Sequence, residues 1–438
     1  MQWEKLISPR RFGKDGVENI APEFIRTEFQ RDYDRIIFSS PFRRLQNKTQ
    51  IFPLPGSVFV HNRLTHSLEV ASVGRSLGNR VADVLLKKYP KSIHLSEIPT
   101  IVGTASLAHD LGNPPFGHSG EQTISEYFSK GKGFIYKDRV TELQWNDLTN
   151  FEGNANALRL LTHTFNGRRR GGFALTYATL AALIKYPYSS INRNKKDKYG
   201  YFDTEHISFK EIAETTGLIK KENGYCRHPL VYLVEAADDI SYQIMDIEDA
   251  HKLGILSTEE TTKLLMSFFN TKDDYKFINK KEEIYKIVTD KNEQISFLRA
   301  SVINHLVNKI ADIFIKNEDK ILVGEFNGSL VDYLTGTTKQ AMEKCTTTAI
   351  DKIYNHKSVI EIEITGHNVL NTLLDNFISA SFNENAEYSK KLLALIPLQY
   401  KEKHTNDYLK IRSILDFISG MTDLYALDLF KLIKGIGI

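Results

Sequence analysis

His109 and Asp110 stand side by side in the stretch SLAHDLG, and their adjacency is the first feature that needs a chemical reason. Neighbouring residues of a helix point about 100° apart, so the two cannot both be ordinary core residues. Around a metal ion the divergence is tolerable, because an imidazole and a carboxylate can approach one ion from adjacent positions. His66 lies on an earlier segment and Asp238 on a later one, and antiparallel packing can bring such side chains to a shared ion. Asp238 and Asp239 sit in an apolar run, where a buried carboxylate without a partner is costly. Two imidazoles and two carboxylates suit first-row divalent ions such as Mn²⁺, Fe²⁺, Co²⁺, Ni²⁺ or Zn²⁺. A six-coordinate ion held by four such donors keeps places for water and a phosphate oxygen, lowers the pKa of that water and polarises phosphorus. The set His66, His109, Asp110 and Asp238 therefore points to divalent-metal phosphohydrolase chemistry. For any one histidine taken alone, a satisfied core imidazole explains as much.

A second group follows in PPFGHSGE. His118 and Glu121 are three apart, so a helix starting there places them on one side. A histidine oriented by a carboxylate can serve as acid or base toward a phosphate oxygen; the plainer alternative is a turn whose following helix carries Glu121 to suit its dipole. Upstream, Arg43, Arg44, Lys48 and Arg63 are candidate cations for a polyphosphate. Gln46 is a candidate reader of hydroxyls or base edges, while Lys48 reads better as charged helix surface.

The elements that must hold these residues are mostly helical. Leu64, Leu68, Val73, Leu77, Val81, Val84 and Leu85 recur along one broad face, predicting a helix over 64–88 that stops before Pro90. A second helix is predicted from Pro99 through IVGTASLAHDLG, broken by Gly112, Pro114 and Pro115. A third starts near Pro229 and ends near Gly254, with Asp238, Glu235 and Tyr242 sharing a face. Ser257 and Glu260 form a candidate capping box for the next helix. The segment 131–224 reads as irregular, with YPYSSINRNKKDKYGYFD as a loop. Helix then follows helix to the C-terminus, interrupted around Gly324, Phe326, Asn327 and Gly328. The expected division is a core over 1–255 and a C-terminal helical extension over 256–438.

Bulk composition narrows the class further. The 57 basic and 54 acidic residues leave a net charge of +3, which by itself neither favours nor excludes a nucleic-acid partner. Basic clusters at Arg168–Arg170 and Arg193–Lys198 read as solvated loops, with phosphate binding as the alternative. Two cysteines, Cys226 and Cys345, are too few for a disulfide scaffold or a thiolate metal site. The N-terminal sequence lacks the apolar run of a secretory signal, and no apolar stretch approaches the roughly 18 residues of a membrane span. A cytoplasmic protein is expected, with no membrane partner.

The succession FRRLQNKTQIFPL, NRLTHSLEV, AHDLGNPPFGHSGE, FEGNANALR and LVEAADDISY resembles the deoxyguanosine triphosphate triphosphohydrolase branch of the HD-domain superfamily. The resemblance implies an all-α HD-domain metal-dependent phosphohydrolase core with a helical C-terminal extension. It implies hydrolysis of a deoxynucleoside triphosphate, dGTP first among them, to the deoxynucleoside and intact inorganic triphosphate. By motif, His66, His109, Asp110 and Asp238 fall on the ligands of one divalent ion, Mn²⁺ or Mg²⁺. His118 falls on the catalytic histidine, Glu121 on its supporting carboxylate and Arg63 on a phosphate contact, with Arg43 nearby. Gln46 falls on a contact to the sugar 3′-hydroxyl, and Tyr242 on an aromatic wall that excludes a 2′-hydroxyl. Glu152, Asn154 and Arg159 are retained, whereas Tyr177 and Lys185 lie near the substrate without an assigned role. A homo-oligomer such as a hexamer, and an effector nucleotide or single-stranded DNA, are further implications. The alternatives are another HD-type nucleotide phosphohydrolase, or a nucleic-acid-binding regulator with secondary or lost activity.

Overall fold

The helix predicted over 64–88 runs from Arg63 to Lys88 in the computed structural model, which describes residues 1–14, 26–52, 60–193, 198–270, 274–401, 404 and 406–437. We label this helix α1. Asn62 caps it, its side chain accepting from Thr65 N while its own N–H donates to the Thr65 hydroxyl, each at 3.0 Å. Val73, Leu77, Val81 and Leu85 form its buried stripe, and each fully buried side chain contributes about 1.5–3 kcal/mol. Leu68 and Val84, predicted on that stripe, are turned outward to solvent.

The helices that position the site follow in chain order: α2 (Ile98–Ala108), α3 (Gly117–Ser129), α4 (Gly153–Thr162), α5 (Tyr177–Leu183) and α6 (Val231–Lys252). Beyond them lie α7 (Lys291–Lys316), α8 (Lys357–Phe382), α9 (Asp407–Ser419) and α10 (Asp423–Lys434). The fold is all-α, and among the described residues the only β-structure is a short antiparallel hairpin pairing Lys220–Lys221 with Gly224–Tyr225 and a few isolated bridges. The predicted capping box at Ser257 and Glu260 is present.

Two differences from the predicted elements matter. α2 ends at Ala108, so His109 is its C-cap and Asp110 already lies in the following turn. The region 131–224, read as irregular, contains helices Glu142–Thr149, α4, α5 and His206–Thr215. These helices are short, and two of them are almost wholly buried, so they carry little amphipathic periodicity to read. Of the basic stretch Arg193–Lys198, residues 194–197 lie outside the described residues.

Two hydrophobic cores organise the chain. The first joins α1, α2, α5, α6 and α7, so packing continues across residue 255: Ile244 and Ile247 share it with Leu298 and Val302. The second joins Ile124 and Phe128 of α3, Phe151, Tyr199 and Phe202 to α8, α9 and α10. The α3 helix therefore packs on segments more than 200 residues further along the chain (compare Ile124 with Val369 and Leu429). Among the described residues no helix is long and apolar enough to cross a membrane. Both cysteines are buried and unbridged.

Candidate functional site

Three ligand-type atoms converge where α1, α2 and α6 meet. His66 Nε2 and His109 Nε2 lie 3.3 and 3.4 Å from the same oxygen, Asp238 Oδ1, and one donor atom from each residue falls within 4.8 Å of the others. His109 Nδ1 lies 2.6 Å from Ser106 O. A carbonyl only accepts, so Nδ1 carries the proton and Nε2 presents its lone pair to the centre. Asp110 Oδ1 stands 3.5 Å from His109 Nε2, held by Asn113 Nδ2 at 2.6 Å. Donors in neighbouring positions around one ion at about 2.1 Å are separated by about 3 Å, so the observed spacings fit a divalent ion held by His66, His109 and Asp238, with Asp110 beside them.

The charges agree with that reading. Burial opposes ionisation of Asp238, yet Lys185, His109 and His66 hold its carboxyl well below the usual range. Burial likewise opposes charge on His109, but Asp110 and Asp238 raise its pKa. Burial raises Asp110 while Arg63 and the two imidazoles pull it down to about 2. A dense negative centre thus draws cations from every side. Lys185, just past α5, donates to Asp238 Oδ2 at 2.8 Å, which gives the lysine a place at the centre that its sequence alone did not assign.

The predicted dyad forms on the first turn of α3. His118 Nδ1 lies 2.9 Å from Glu121 Oε2, and Glu121 Oε1 accepts from Gly153 N at 2.7 Å. The bond to Glu121 raises the His118 pKa, while His118, Lys198 and the Gly153 amide keep the buried Glu121 ionised. The imidazole is otherwise exposed, its side chain 81% accessible. Lys198 also pairs with Glu152 at 2.8 Å, one turn from the dyad.

A cleft of about 550 Å³ joins the two groups, lined among others by Gln50, Arg63, His66, Asp110, His118, Asp238 and Tyr242. That volume lies within the range of small-molecule sites, about 300–1,000 Å³. Arg63 donates to Asp110 Oδ2 at 2.5 Å. Its guanidinium crosses the backbone of Gly117 so closely that a Cβ there would stand 2.3 Å from Nη2, and Gly117 also adopts φ +57°; only glycine meets both demands. Tyr242 stacks on Tyr354, with ring centres 5.9 Å apart, and Tyr354 donates to Asp246 Oδ2 at 2.9 Å. Tyr354 ends a π-helical turn over Ala349–Tyr354, a wide turn often found at functional sites.

Three sequence expectations change here. Gln46 and Arg43 are exposed and do not line the cleft: Leu45 and Phe42 take the buried faces of their short helical turns and rotate these neighbours outward. The glutamine that enters is Gln50, whose buried Oε1 has no partner among the described residues. Lys48, read as helix surface, is buried, and burial drives its pKa down to about 7. Glu235 turns away from Asp238 and Tyr242 to pair with Arg227 at 2.7 Å in a separate cavity.

Residues 63–143 match the HD domain, and residues 333–432 match a phosphohydrolase-associated domain. The chain is 39% identical to a deoxyguanosinetriphosphate triphosphohydrolase-like protein of Synechocystis sp. over the full length of both chains. It is 35% identical to a protein of that name from Pseudomonas aeruginosa, covering 99% of each. It is 29% identical to the deoxyguanosinetriphosphate triphosphohydrolase of Salmonella schwarzengrund, covering 94% of this chain and 95% of that one.

Proposed function

Because the chain belongs to the deoxyguanosinetriphosphate triphosphohydrolase-like family of HD-domain phosphohydrolases, we propose that it hydrolyses a deoxynucleoside triphosphate, dGTP by preference, to the deoxynucleoside and intact triphosphate. The observation that carries the proposal is one cleft with a metal-type donor set at its base and the stacked Tyr242–Tyr354 pair on its wall. That geometry suits a phosphate chain at one end and a flat, sugar-bearing group at the other. His66, His109, Asp110 and Asp238 would hold Mn²⁺ or Mg²⁺, which when bound supplies Lewis acidity toward a phosphate oxygen and acidifies water.

The side chains of this chain do the rest. Arg63, bonded to Asp110, lines the cleft and brings positive charge to the phosphates, while Lys185, bonded to Asp238, adds charge at the donor set. Water attacks the α-phosphorus, and the bond from phosphorus to the 5′-oxygen breaks. His118, its Nδ1 held by Glu121, has Nε2 to donate a proton to the departing 5′-oxygen, and the bond to Glu121, by raising the pKa, favours the protonated ring that this step needs. Tyr242 fills the space beside the sugar that a 2′-hydroxyl would need. Glu363, at the outer end of the cleft, is an acceptor suited to the N1–H and N2–H₂ donors of guanine.

Product analysis tests the reading. Purified protein is incubated with each deoxynucleoside triphosphate in Mn²⁺ and separately in Mg²⁺, in ¹⁸O-water. Deoxynucleoside and triphosphate in equal amounts are expected, with the label wholly in triphosphate and dGTP consumed first. Release of orthophosphate or pyrophosphate would replace the proposed reaction with another nucleotide phosphohydrolysis.

A further inference from the structure

The turn between α9 and α10 reaches the walls of the cleft from behind. Asp423, the first residue of α10 and 6% exposed, gives each carboxylate oxygen to a different loop. Oδ2 accepts from Thr49 N at 2.7 Å, and Oδ1 accepts from Phe116 N at 3.0 Å. The first loop delivers Gln50 to the cleft and the second delivers His118. Ser419, four residues earlier, strengthens the same junction: its carbonyl accepts from Lys48 Nζ at 3.0 Å, and its hydroxyl accepts from Asn156 Nδ2 at 3.2 Å. Lys48 donates in addition to Asn113 O, and Asn113 holds the metal-type donor Asp110.

The loop that Asp423 grips does not rest in an easy conformation. Phe116 has φ +61°, a left-handed value that a bulky side chain adopts only when its surroundings impose it. One constraint is the Asp423 bond. The other comes from α8, where a Cβ added to Gly366 would stand 2.6 Å from the Phe116 ring. Both constraints belong to the C-terminal part of the chain, remote in sequence from His118.

We propose that Asp423 is a positioning residue of the hydrolytic site: it fixes the Phe116–Gly117 turn, and so the placement of His118 over the cleft, in register with the wall that carries Gln50. The catalytic consequence rests on the reaction proposed above, while the clip itself does not. His66, His109 and Asp238 sit on or beside α1, α2 and α6, so these three donors are held independently of it.

Asp423→Asn leaves one acceptor oxygen for two N–H donors, so one loop must let go. Hydrogen exchange at the Thr49 or Phe116 amide should accelerate by about tenfold or more. The kcat for triphosphate release should fall by about a hundredfold, as for a catalytic group misplaced by an ångström. The Mn²⁺ Kd from calorimetry should change by less than about tenfold, since His66, His109 and Asp238 have no bond to either loop. Gly366→Ala presses on the same turn from α8 and should reproduce the pattern, which covers failure of the first variant to fold. Unchanged exchange in the folded variants, or faster exchange with kcat per folded molecule intact, overturns the assignment. If the unaltered protein releases no triphosphate at all, the proposed reaction falls separately. The clip is then decided by exchange together with NMR titration of His118, whose pKa should drop toward that of free histidine in both variants if Asp423 places it.

Discussion

Replacing Arg159 by methionine tests whether the C-terminal helices are a working part of the core. Arg159 is 3% exposed and forks onto two carboxylates: Nε and Nη2 each donate to Asp416 of α9 at 2.7 Å, and Nη1 donates to Glu205 at 2.7 Å. Methionine keeps much of the volume, so the loss is mainly electrostatic rather than a cavity. Removing one partner of a buried ion pair costs about 3–5 kcal/mol. Arg412 Nη2, 3.6 Å from Asp416 Oδ1, remains as a partial substitute and places the expectation near the lower figure. For 438 residues the unfolding entropy near the midpoint is about 0.9 kcal/mol/K, so about 3 kcal/mol lowers Tm by about 3 °C. The variant deprives the buried Asp416 of the arginine that holds its pKa down, and leaves it with a folded-state pKa above its unfolded one. The folded variant then binds protons that the unfolded chain does not, and its stability falls as pH rises. The deficit against the parent should therefore be smaller at pH 5 than at pH 8, and Asp416→Asn should restore part of it. Thermal and urea unfolding at both pH values measure this. A deficit below about 1 kcal/mol, or one indifferent to pH, would refute the reasoning.

Three further outcomes follow from the geometry. Gln50→Ala should lower kcat/KM by about tenfold, the worth of one lost hydrogen bond, while Gln46→Ala should stay within about twofold; steady-state kinetics on the two variants separates them. Tyr242→Ala should raise ribonucleotide turnover relative to deoxyribonucleotide turnover by about tenfold in a mixed-substrate competition, and an unchanged ratio would remove Tyr242 from sugar selection. His228 is buried and fully committed as a neutral imidazole, Nε2 facing Leu6 O at 3.1 Å and Nδ1 accepting from Leu230 N at 3.2 Å. Burial lowers its pKa to about 4. The unfolded chain takes up the proton first, so stability is lost as pH falls from about 6.5 toward 4, by about 3 kcal/mol in full; His228→Asn should flatten that limb of the urea-unfolding profile, and an unchanged profile would assign it elsewhere.

The metal-type donors and the dyad were legible as groups, because several chemistry-bearing residues recur at short or helical spacings where any one alone has a plainer explanation. Asp238 in an apolar helix and His118 three residues before Glu121 are local patterns, and helical geometry carries them directly into space. The cleft wall was not legible in the same way. Which of two glutamines enters depends on how a short helical turn buries Leu45, and no periodicity reports that over so few residues. The burial of Lys48 was hidden for another reason: its acceptors lie 65 and 371 residues away. The roles of Lys185 and Asp423 likewise exist only through partners distant in sequence, Asp238 in one case and two backbone amides in the other.

The second hydrophobic core sets an order of events during synthesis. The segment carrying His118 is made early, yet the side chains that pack beneath it extend to Leu429. At about 5–20 residues per second, roughly 15–60 s separate the emergence of Phe128 from that of the last members of the same core. Once Asp238 has emerged, the nascent chain carries every metal-type donor, while the turn that presents the dyad still lacks its support. Competence to hydrolyse nucleotide is thereby deferred until the ribosome has nearly finished. A message lacking its last tenth would yield a chain without α9 and α10, and so without the carboxylate that braces the turn before His118.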